Sequence, residues 1–371
     1  MKAQFTKSNL LTALQNVRAA VGDGTLPILS HVLITPKNGE TKITATDLDL
    51  RATTTLKGGV EDPTAFTVHA DTLLGLVSRV ADPEATITIT GKPSEGRVAF
   101  LANGSQKFRG ALPVLAAADF PKEAKTRDDY TFKAKSCELK NALRKVVGIV
   151  SREDGRRYLT GVLFELSEKT LTLVSTDSHR LAVSKVSIET DEEKSGEFLV
   201  PGRAADTISR ALSTGDEAVD ISLDAKFVAV DAGNTAYRSN LIAEKFPAYK
   251  NIIPKNFESD VTFNRAELIQ ALRVTGVFTD ANNPRVTLTI DKETAKLTTE
   301  NADKGEGEAT VSSEYAGASV AIAFNVAYML DALSNIDTDK VVMRINGPKN
   351  PCLFKSPNGS NYIHIVMPMR A

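Results

Sequence analysis

The sequence predicts an α+β protein of three repeated domains, each made of two strand–helix–three-strand units. Three observations carry this. A helix-forming segment recurs at nearly equal spacing as "FTKSNLLTALQNVRAAV" (5–21), "FKAKSCELKNALRKVVGIV" (132–150) and "FNRAELIQALRVTGVFT" (263–279). A second recurs in the same phase as "FTVHADTLLGLVSRV" (66–80), "FLVPGRAADTISRAL" (198–212) and "AFNVAYMLDALSNI" (323–336). After each come alternating, β-branched runs parted by turn residues, the period of a half-buried strand. Self-similarity on this scale marks a chain assembled from copies of one unit.

The elements follow in order. Each copy opens on a Phe in a short strand-like stretch, then an apolar stripe at helical spacing: Leu10, Leu14, Val17 and Val21; Leu139, Leu143, Val146 and Val150; Leu268, Leu272 and Thr275. In the middle copy the strands run through "YLTGVLFELSEKTLTLVSTDSHRLAVSKVSIE", and after the second helix through "VDISLDAKFVAVDAGNTAYRSNLIA". "SEK" and "DAGN" break them into hairpins. The joints are "AADFPKEAKTRDDYTF" (117–132) and "EKFPAYKNIIPKNFESDVTF" (244–263), which share Phe-Pro at 120–121 and 246–247. They divide the chain into domains 1–126, 127–256 and 257–371, within the two or three that 371 residues suggest. Three blocks turned by a constant rotation put their helices along one side of an arc, and head-to-tail copies of the chain can close that arc into a ring.

Composition narrows the function. Hydrophobic content of 42% and no apolar run of membrane length suit a soluble globular chain, and the amphipathic start is not a secretory leader. Cys137 and Cys352 form no pattern, which fits a reducing, cytoplasmic setting. With 45 basic against 46 acidic side chains, a broad cationic surface for gripping nucleic acid is not expected, although a local positive face is. Scattered His and Cys give no zinc spacing, and no phosphate-cradling glycine loop occurs, so no cofactor is expected. "KGEGEA" (304–309) reads as a turn, and "NGS" at 103–105 and 358–360 as hairpin turns.

"TDSHRL" (176–181) sets a serine beside a histidine directly after an aspartate, an arrangement that invites a catalytic reading. As an extended strand it places Asp177 and His179 on one face and Ser178 on the other, which denies the serine its base. Three readings stay open: a hydrolase centred on His179, an ordinary strand end with a hydrogen-bonded histidine, and a wall of a binding pocket.

Taken together, "GTLPILSHVLI" (24–34), "ATDLDLR" (45–51), "RRYLTGVLFE" (156–165), "STDSHRLAV" (175–183), "KFPAYKNIIPKN" (245–256), "FNVAYMLDAL" (324–333) and the terminal "VMPMR" (366–370) resemble the bacterial sliding clamps, the β subunit of DNA polymerase III, from end to end. The resemblance implies the DNA clamp fold: two chains head to tail in a ring, helices lining the hole and sheets outside. It implies a non-enzymatic processivity factor that encircles duplex DNA and tethers the replicative polymerase. The clamp loader, and replication and repair proteins carrying clamp-binding peptides, would be further partners. A non-ring accessory or phage-type scaffold is the alternative.

Carried over, the partner-peptide pocket would use Leu159, Thr176, Ser178, His179, Arg180 and Leu181 with Pro247, Asn251 and Ile252 of the joint. The last domain would add Tyr328, Ile365, Met367, Pro368, Met369 and Arg370. Leucine, proline and isoleucine offer apolar area, the methionines adapt in shape, and Arg180 and Arg370 would pin a backbone or carboxylate at the rim. Ser178 stands where relatives commonly have Gly, and Asn251 where they often have Arg. Phe108, Val277 and Phe278 would be the dimer interface. On helix faces opposite the apolar stripes, Arg18, Arg79, Lys140, Arg144, Arg203, Arg210 and Arg273 are candidates to face DNA, with Arg152, Arg156, Arg157 and Tyr158 in a loop; any one of them suits a solvated face equally. Asp23 and Gly24 occupy a stretch where some relatives carry Arg.

Overall fold

The apolar stripes and alternating runs fold as their periods require. The structure is a computed structural model and describes residues 2–23, 25–37, 39–57, 64–104, 107–123, 127–191, 194–280, 282–359 and 361–370. The first copy contains β1 (Lys2–Thr6), α1 (Lys7–Arg18), β2 (His31–Lys37), β3 (Glu40–Thr46) and β4 (Leu50–Lys57), then β5 (Phe66–His69), α2 (Ala70–Arg79), β6 (Thr86–Lys92), β7 (Arg97–Asn103) and β8 (Lys107–Pro113). The second has β9 (Tyr130–Lys135), α3 (Ser136–Val147), β10 (Gly161–Ser167), β11 (Thr170–Thr176) and β12 (Arg180–Ser187), then β13 (Gly196–Pro201), α4 (Gly202–Ala211), β14 (Ala218–Leu223), β15 (Phe227–Ala232) and β16 (Thr235–Asn240). The third has β17 (Ser259–Asn264), α5 (Arg265–Gly276), β18 (Arg285–Ile290), β19 (Thr294–Asn301) and β20 (Gly305–Tyr315), then β21 (Val320–Asn325), α6 (Val326–Ser334), β22 (Lys340–Ile345), β23 (Cys352–Lys355) and β24 (Tyr362–Val366). Every copy thus repeats strand, helix and three strands, twice. Among the described residues no helix is long and apolar enough to cross a membrane.

Caps and stripes set the helices. Asn264 and Asn325 accept from the first-turn amides of α5 and α6, each such cap stabilising by about 1 kcal/mol. Leu10, Leu14 and Val17 of α1 are buried, as are Leu139, Leu143 and Val146 of α3 and Leu268, Leu272 and Thr275 of α5, so each stripe faces a core. "KGEGEA" is not a turn. Gly305 opens β20, and the alternation from Gly305 to Ser312 pairs residue for residue with β19. Glycine is required at 307 for a local reason: a Cβ there would stand 2.5 Å from the Phe278 ring. Asn103 ends β7 and Asn358 precedes β24, as hairpin readings expect, but Ser105 and Ser360 lie outside the described residues.

The first strand of each half-copy crosses to the three strands of the other half. This gives β1-β6-β7-β8 and β5-β2-β3-β4 in the first copy, and the same pattern in the others. Copies then join edge to edge, β4 with β16 into an eight-stranded sheet and β12 with β24 into a sheet that reaches twelve strands because β17 also pairs with the end of β20 inside the third copy. The chain forms two compact units, one of residues 1–140, 189–192 and 207–241, the other of 141–188, 193–206 and 242–371. In the first, α1 packs on β3, β4 and α2; the Tyr237 hydroxyl donates to the Asn16 carbonyl at 3.1 Å, and Asn16 donates to Thr235 at 3.0 Å. In the second, α5 packs on β19, β20 and α6, and α6 on β24.

His364 on β24 is wholly buried, its Nδ1 bonded to the Tyr362 hydroxyl at 2.7 Å and its Nε2 without a hydrogen-bond partner. Burial, reinforced by the charge of Arg180, pushes its pKa down to about 3. The unfolded chain therefore takes up a proton that the folded chain refuses. The stabilisation is complete above about pH 6.5 and is lost progressively as pH falls toward the folded value. Urea unfolding at pH 7 and pH 5 should show wild type losing about 2 kcal/mol that His364→Gln does not lose.

Candidate functional site

Residues Asp177 to His179 form the turn between β11 and β12, which corrects the reading of Asp177 and His179 as neighbours on one face of an extended strand. Side chains take the bonds a ladder would otherwise supply. Asp177 Oδ1 accepts from the amides of His179 at 2.9 Å and Arg180 at 3.0 Å. Thr176 Oγ1 accepts from the Ser178 amide at 3.2 Å and donates to the Arg180 carbonyl at 2.7 Å. This drives Ser178 to φ +79°, the left-handed region that glycine enters without steric cost. Thr46 and Asp47 build the same turn in the first copy, bond for bond, with Leu48 at φ +83°.

Ser178 and His179 are engaged elsewhere rather than with each other. Ser178 Oγ accepts from Arg156 Nη1 at 2.9 Å, and Arg156 is held by Glu153 at 2.6 Å. The His179 ring stacks on Tyr328, centroids 6.2 Å apart. Arg180 is largely buried: its guanidinium pairs with Asp177 at 2.9 Å and with Asp331, and lies 4.5 Å from the Tyr328 ring centroid. Burial opposes that charge, but the two carboxylates outweigh it and raise the Arg180 pKa. The arginine thus binds the chain's own acids rather than standing free at a rim.

Beneath the turn, Leu181 on β12 pairs with Ile365 on β24, in one buried cluster with Leu163, Val174, Leu199 and Tyr249. Leu159 and Thr176 are buried as well, whereas Ile252 is 41% and Met367 36% exposed, so these two offer apolar surface. Pro247, Pro368 and Met369 are half-buried; Asn251 and Arg370 are exposed. The Met367 amide donates to the His179 carbonyl at 2.9 Å, seating the C-terminal segment beside the turn. The joint segment is fixed by Glu165, which accepts from the Tyr249 hydroxyl and from Lys250. Desolvation lifts the Glu165 pKa, yet those bonds and the Lys250 and Lys185 charges leave it below the ordinary carboxylate value. The Glu165 and Asp331 contacts escape the sequence reading, since neither acid lies near its partner in the chain; the Thr-Asp turn was visible in the pair "ATD" and "STD".

Arg18, Arg79, Arg144, Arg210 and Arg273 all lie in the last turns of their helices, where a cation complements the helix dipole, and all are exposed. Arg203 on α4, Arg152 and Arg157 are exposed too, and Tyr158 packs on the buried cluster. Arg18 pairs with Asp71 at 2.6 Å, and Lys140 donates to the Leu212 carbonyl at 2.5 Å, which turns it to the end of α4. Asp23 accepts from Thr25; Gly24 lies outside the described residues. Phe108 is 48% exposed on β8, Val277 68% exposed after α5, and Phe278 packs against Gly307 of β20.

The chain matches the N-terminal domain of the DNA polymerase III beta subunit over residues 1–124, its central domain over 133–248 and its C-terminal domain over 250–370. It belongs to the family of beta sliding clamps. A beta sliding clamp of Chlamydia muridarum is 30% identical over 371 residues, covering 100% of this chain and 99% of the relative, and one of Escherichia coli K12 is 27% identical with both chains fully covered. A sliding clamp of Pseudomonas aeruginosa, solved bound to griselimycin, superposes with a TM-score of 0.94 at 27% identity, covering 100% of both chains. The chain is thus a sliding clamp of DNA polymerase III, a replication processivity factor and not an enzyme, which retires the hydrolase reading of His179.

Asp177→Ala strips two amides of their acceptor and leaves a buried arginine short of one partner, whereas Asp47→Ala removes the same two amide bonds at a turn where Leu50 stands in the place of Arg180. Urea unfolding should find Asp177→Ala costlier, by about 2–4 kcal/mol against about 1–2 for Asp47→Ala. Equal costs would show that Arg180 contributes nothing through Asp177.

Proposed function

We propose that two chains close head to tail into a ring around duplex DNA, each as three domains, 1–126, 127–256 and 257–371, with helices toward the duplex and sheets outside. One observation carries this reading. The last strand of a first half-copy pairs with the last strand of the next copy's second half, as β4 with β16 and β12 with β24. The same rule leaves β20 over Gly305–Ser312 and β8 as the unmatched pair, each with one strand neighbour along that stretch among the described residues. A second copy supplies the missing partner. Charge agrees: Lys107 and Arg109 are exposed on β8, and Glu306 and Glu308 on β20. Phe108, Val277 and Phe278 supply apolar contact at that seam, and closure removes two strand edges open to aggregation.

DNA is held by topology rather than by grip, which explains a net charge of −1. The exposed arginines at the ends of α1 to α5, with Arg203, Arg152 and Arg157, meet phosphates singly, without reading bases. Partner peptides of the polymerase, the clamp loader, and replication and repair proteins dock where Ile252 and Met367 are exposed above the Leu181–Ile365 pair. Pro247, Pro368 and Met369 flank them, and the Ser178–His179–Tyr328 wall stands to one side. Asn251 and Arg370 lie at its edge. Such a protein works in the cytoplasm.

Sizing by light scattering at low micromolar concentration should give a dimer for wild type and a monomer for Phe108→Arg; a dimeric variant removes Phe108 from the seam. Leu181→Ala would cost core stability, about 2–5 kcal/mol, and confound a binding assay. Met367→Ala with Ile252→Ala avoids this, and calorimetry with a polymerase-derived clamp-binding peptide should show about tenfold or greater loss with the dimer intact.

A further inference from the structure

The first joint carries a cleft of different chemistry. The Thr46–Asp47 turn matches the Thr176–Asp177 turn, and the β4–β16 ladder matches β12–β24. In that register Arg51 stands where the second joint has Leu181, and Arg238, directly opposite it, where the second has Ile365. Arg51 donates to the Pro121 carbonyl at 2.5 Å and lies 5.8 Å from the Phe120 ring centroid. Arg238, with only 10% of its side chain exposed, lies 4.0 Å from the Phe227 ring centroid and 3.8 Å from the Glu123 carboxylate. Like charges directly opposite on paired strands repel. Burial lowers the Arg51 pKa; Glu123 raises it in part, and Arg238 lowers it further.

The two arginines head a trough of about 810 Å³ along one face of the eight-stranded sheet. Its floor is small: Thr53, Ala236, Ala229 and Ser222. Two residues further along the strands Asp231 stands opposite Asp220, which Lys133 approaches to 3.4 Å, and burial together with Asp220 raises the Asp231 pKa. The trough is thus cationic at one end and chiefly acidic at the other.

We propose that this trough docks an extended peptide segment of a partner protein bearing an acidic and a basic side chain two residues apart, the acid on Arg51 and Arg238 and the base on Asp220 and Asp231. From Arg238 to Asp231 is two residues along and one strand across, about 8 Å, close to the roughly 7 Å between side chains i and i+2 of a strand. Charge complementarity selects the occupant. A polyanion such as nucleic acid meets the aspartates, and a polycation meets the arginines. The chain's own joint segment already offers these arginines a carbonyl and a carboxylate. Glu123 is a loose internal stand-in, its side chain 61% exposed, that a ligand displaces. The inference stands on the unit holding the first joint and is independent of the peptide site at the second.

Fluorescence anisotropy on the full chain tests it, with labelled, amidated Gly-Ala-Glu-Ala-Lys-Ala as probe. The probe should bind wild type, bind Glu123→Ala at least about threefold more tightly, and bind Arg238→Gln about tenfold more weakly. Variants of the probe with Glu at both charged positions, or Lys at both, should bind about tenfold more weakly. Glu123 is exposed on the joint, so its variant folds even if Arg238→Gln does not. The proposal is overturned if Glu123→Ala fails to tighten binding, if the doubly acidic probe binds equally well, if inorganic phosphate in large excess displaces the probe, or if no probe binds either protein.

Discussion

The structure depends on one interaction, the edge-to-edge ladder between the last strand of a first half-copy and the last strand of the next copy's second half. Each copy brings its own two helices, its sheets and a core of Leu, Val and Phe, and side-chain contacts such as Tyr237 with Asn16 and Arg180 with Asp331 reinforce the joints. The ladder alone turns copies into sheets that run from one to the next, through β4 with β16 and β12 with β24. Backbone hydrogen bonds supply its direction, and the opposed side chains supply its chemistry, Leu181 with Ile365 at one joint and Arg51 with Arg238 at the other. A repeated fold thereby gains joints that share geometry and differ in side-chain chemistry.

The turn that precedes each ladder shows the same economy. Thr46 with Asp47 and Thr176 with Asp177 close their hairpins with the same side-chain bonds, and both force the next residue into left-handed backbone. At the second, Arg180 stands where the first has Leu50 and ties the turn to two carboxylates and an aromatic ring. Ser178 and His179, the pair that invites a catalytic reading, are positioned by that turn, one toward Arg156 and the other against Tyr328. Their adjacency is a consequence of turn chemistry.

Much of this is legible in the sequence because burial imposes periods. The Phe-headed helices, their stripes, the alternating strands and the Phe-Pro joints each follow from a local rule, and their recurrence carries the architecture. "KGEGEA" misleads because glycine usually punctuates a chain, whereas Gly307 is dictated by the Phe278 ring pressed on β20 from outside its own hairpin. "TDSHRL" misleads as an extended run because its β-branched neighbours hide a turn held by side chains. The grip of Glu165 on Tyr249 and Lys250, and the burial of Arg180, arise from residues far apart in sequence, which no local pattern encodes. The exposed arginines at helix ends are legible as cations but not as contacts, since the helix dipole places them there whether or not a phosphate follows.

The most direct measurement is amide hydrogen exchange of residues 107–113 and 305–312 as protein concentration is raised through assembly. If a third ladder of the same kind joins two chains, both segments gain protection together, while the β5 and β13 edges keep their exchange rates. Exchange at β8 and β20 that stays independent of concentration, in a protein that nonetheless dimerises, would contradict the account.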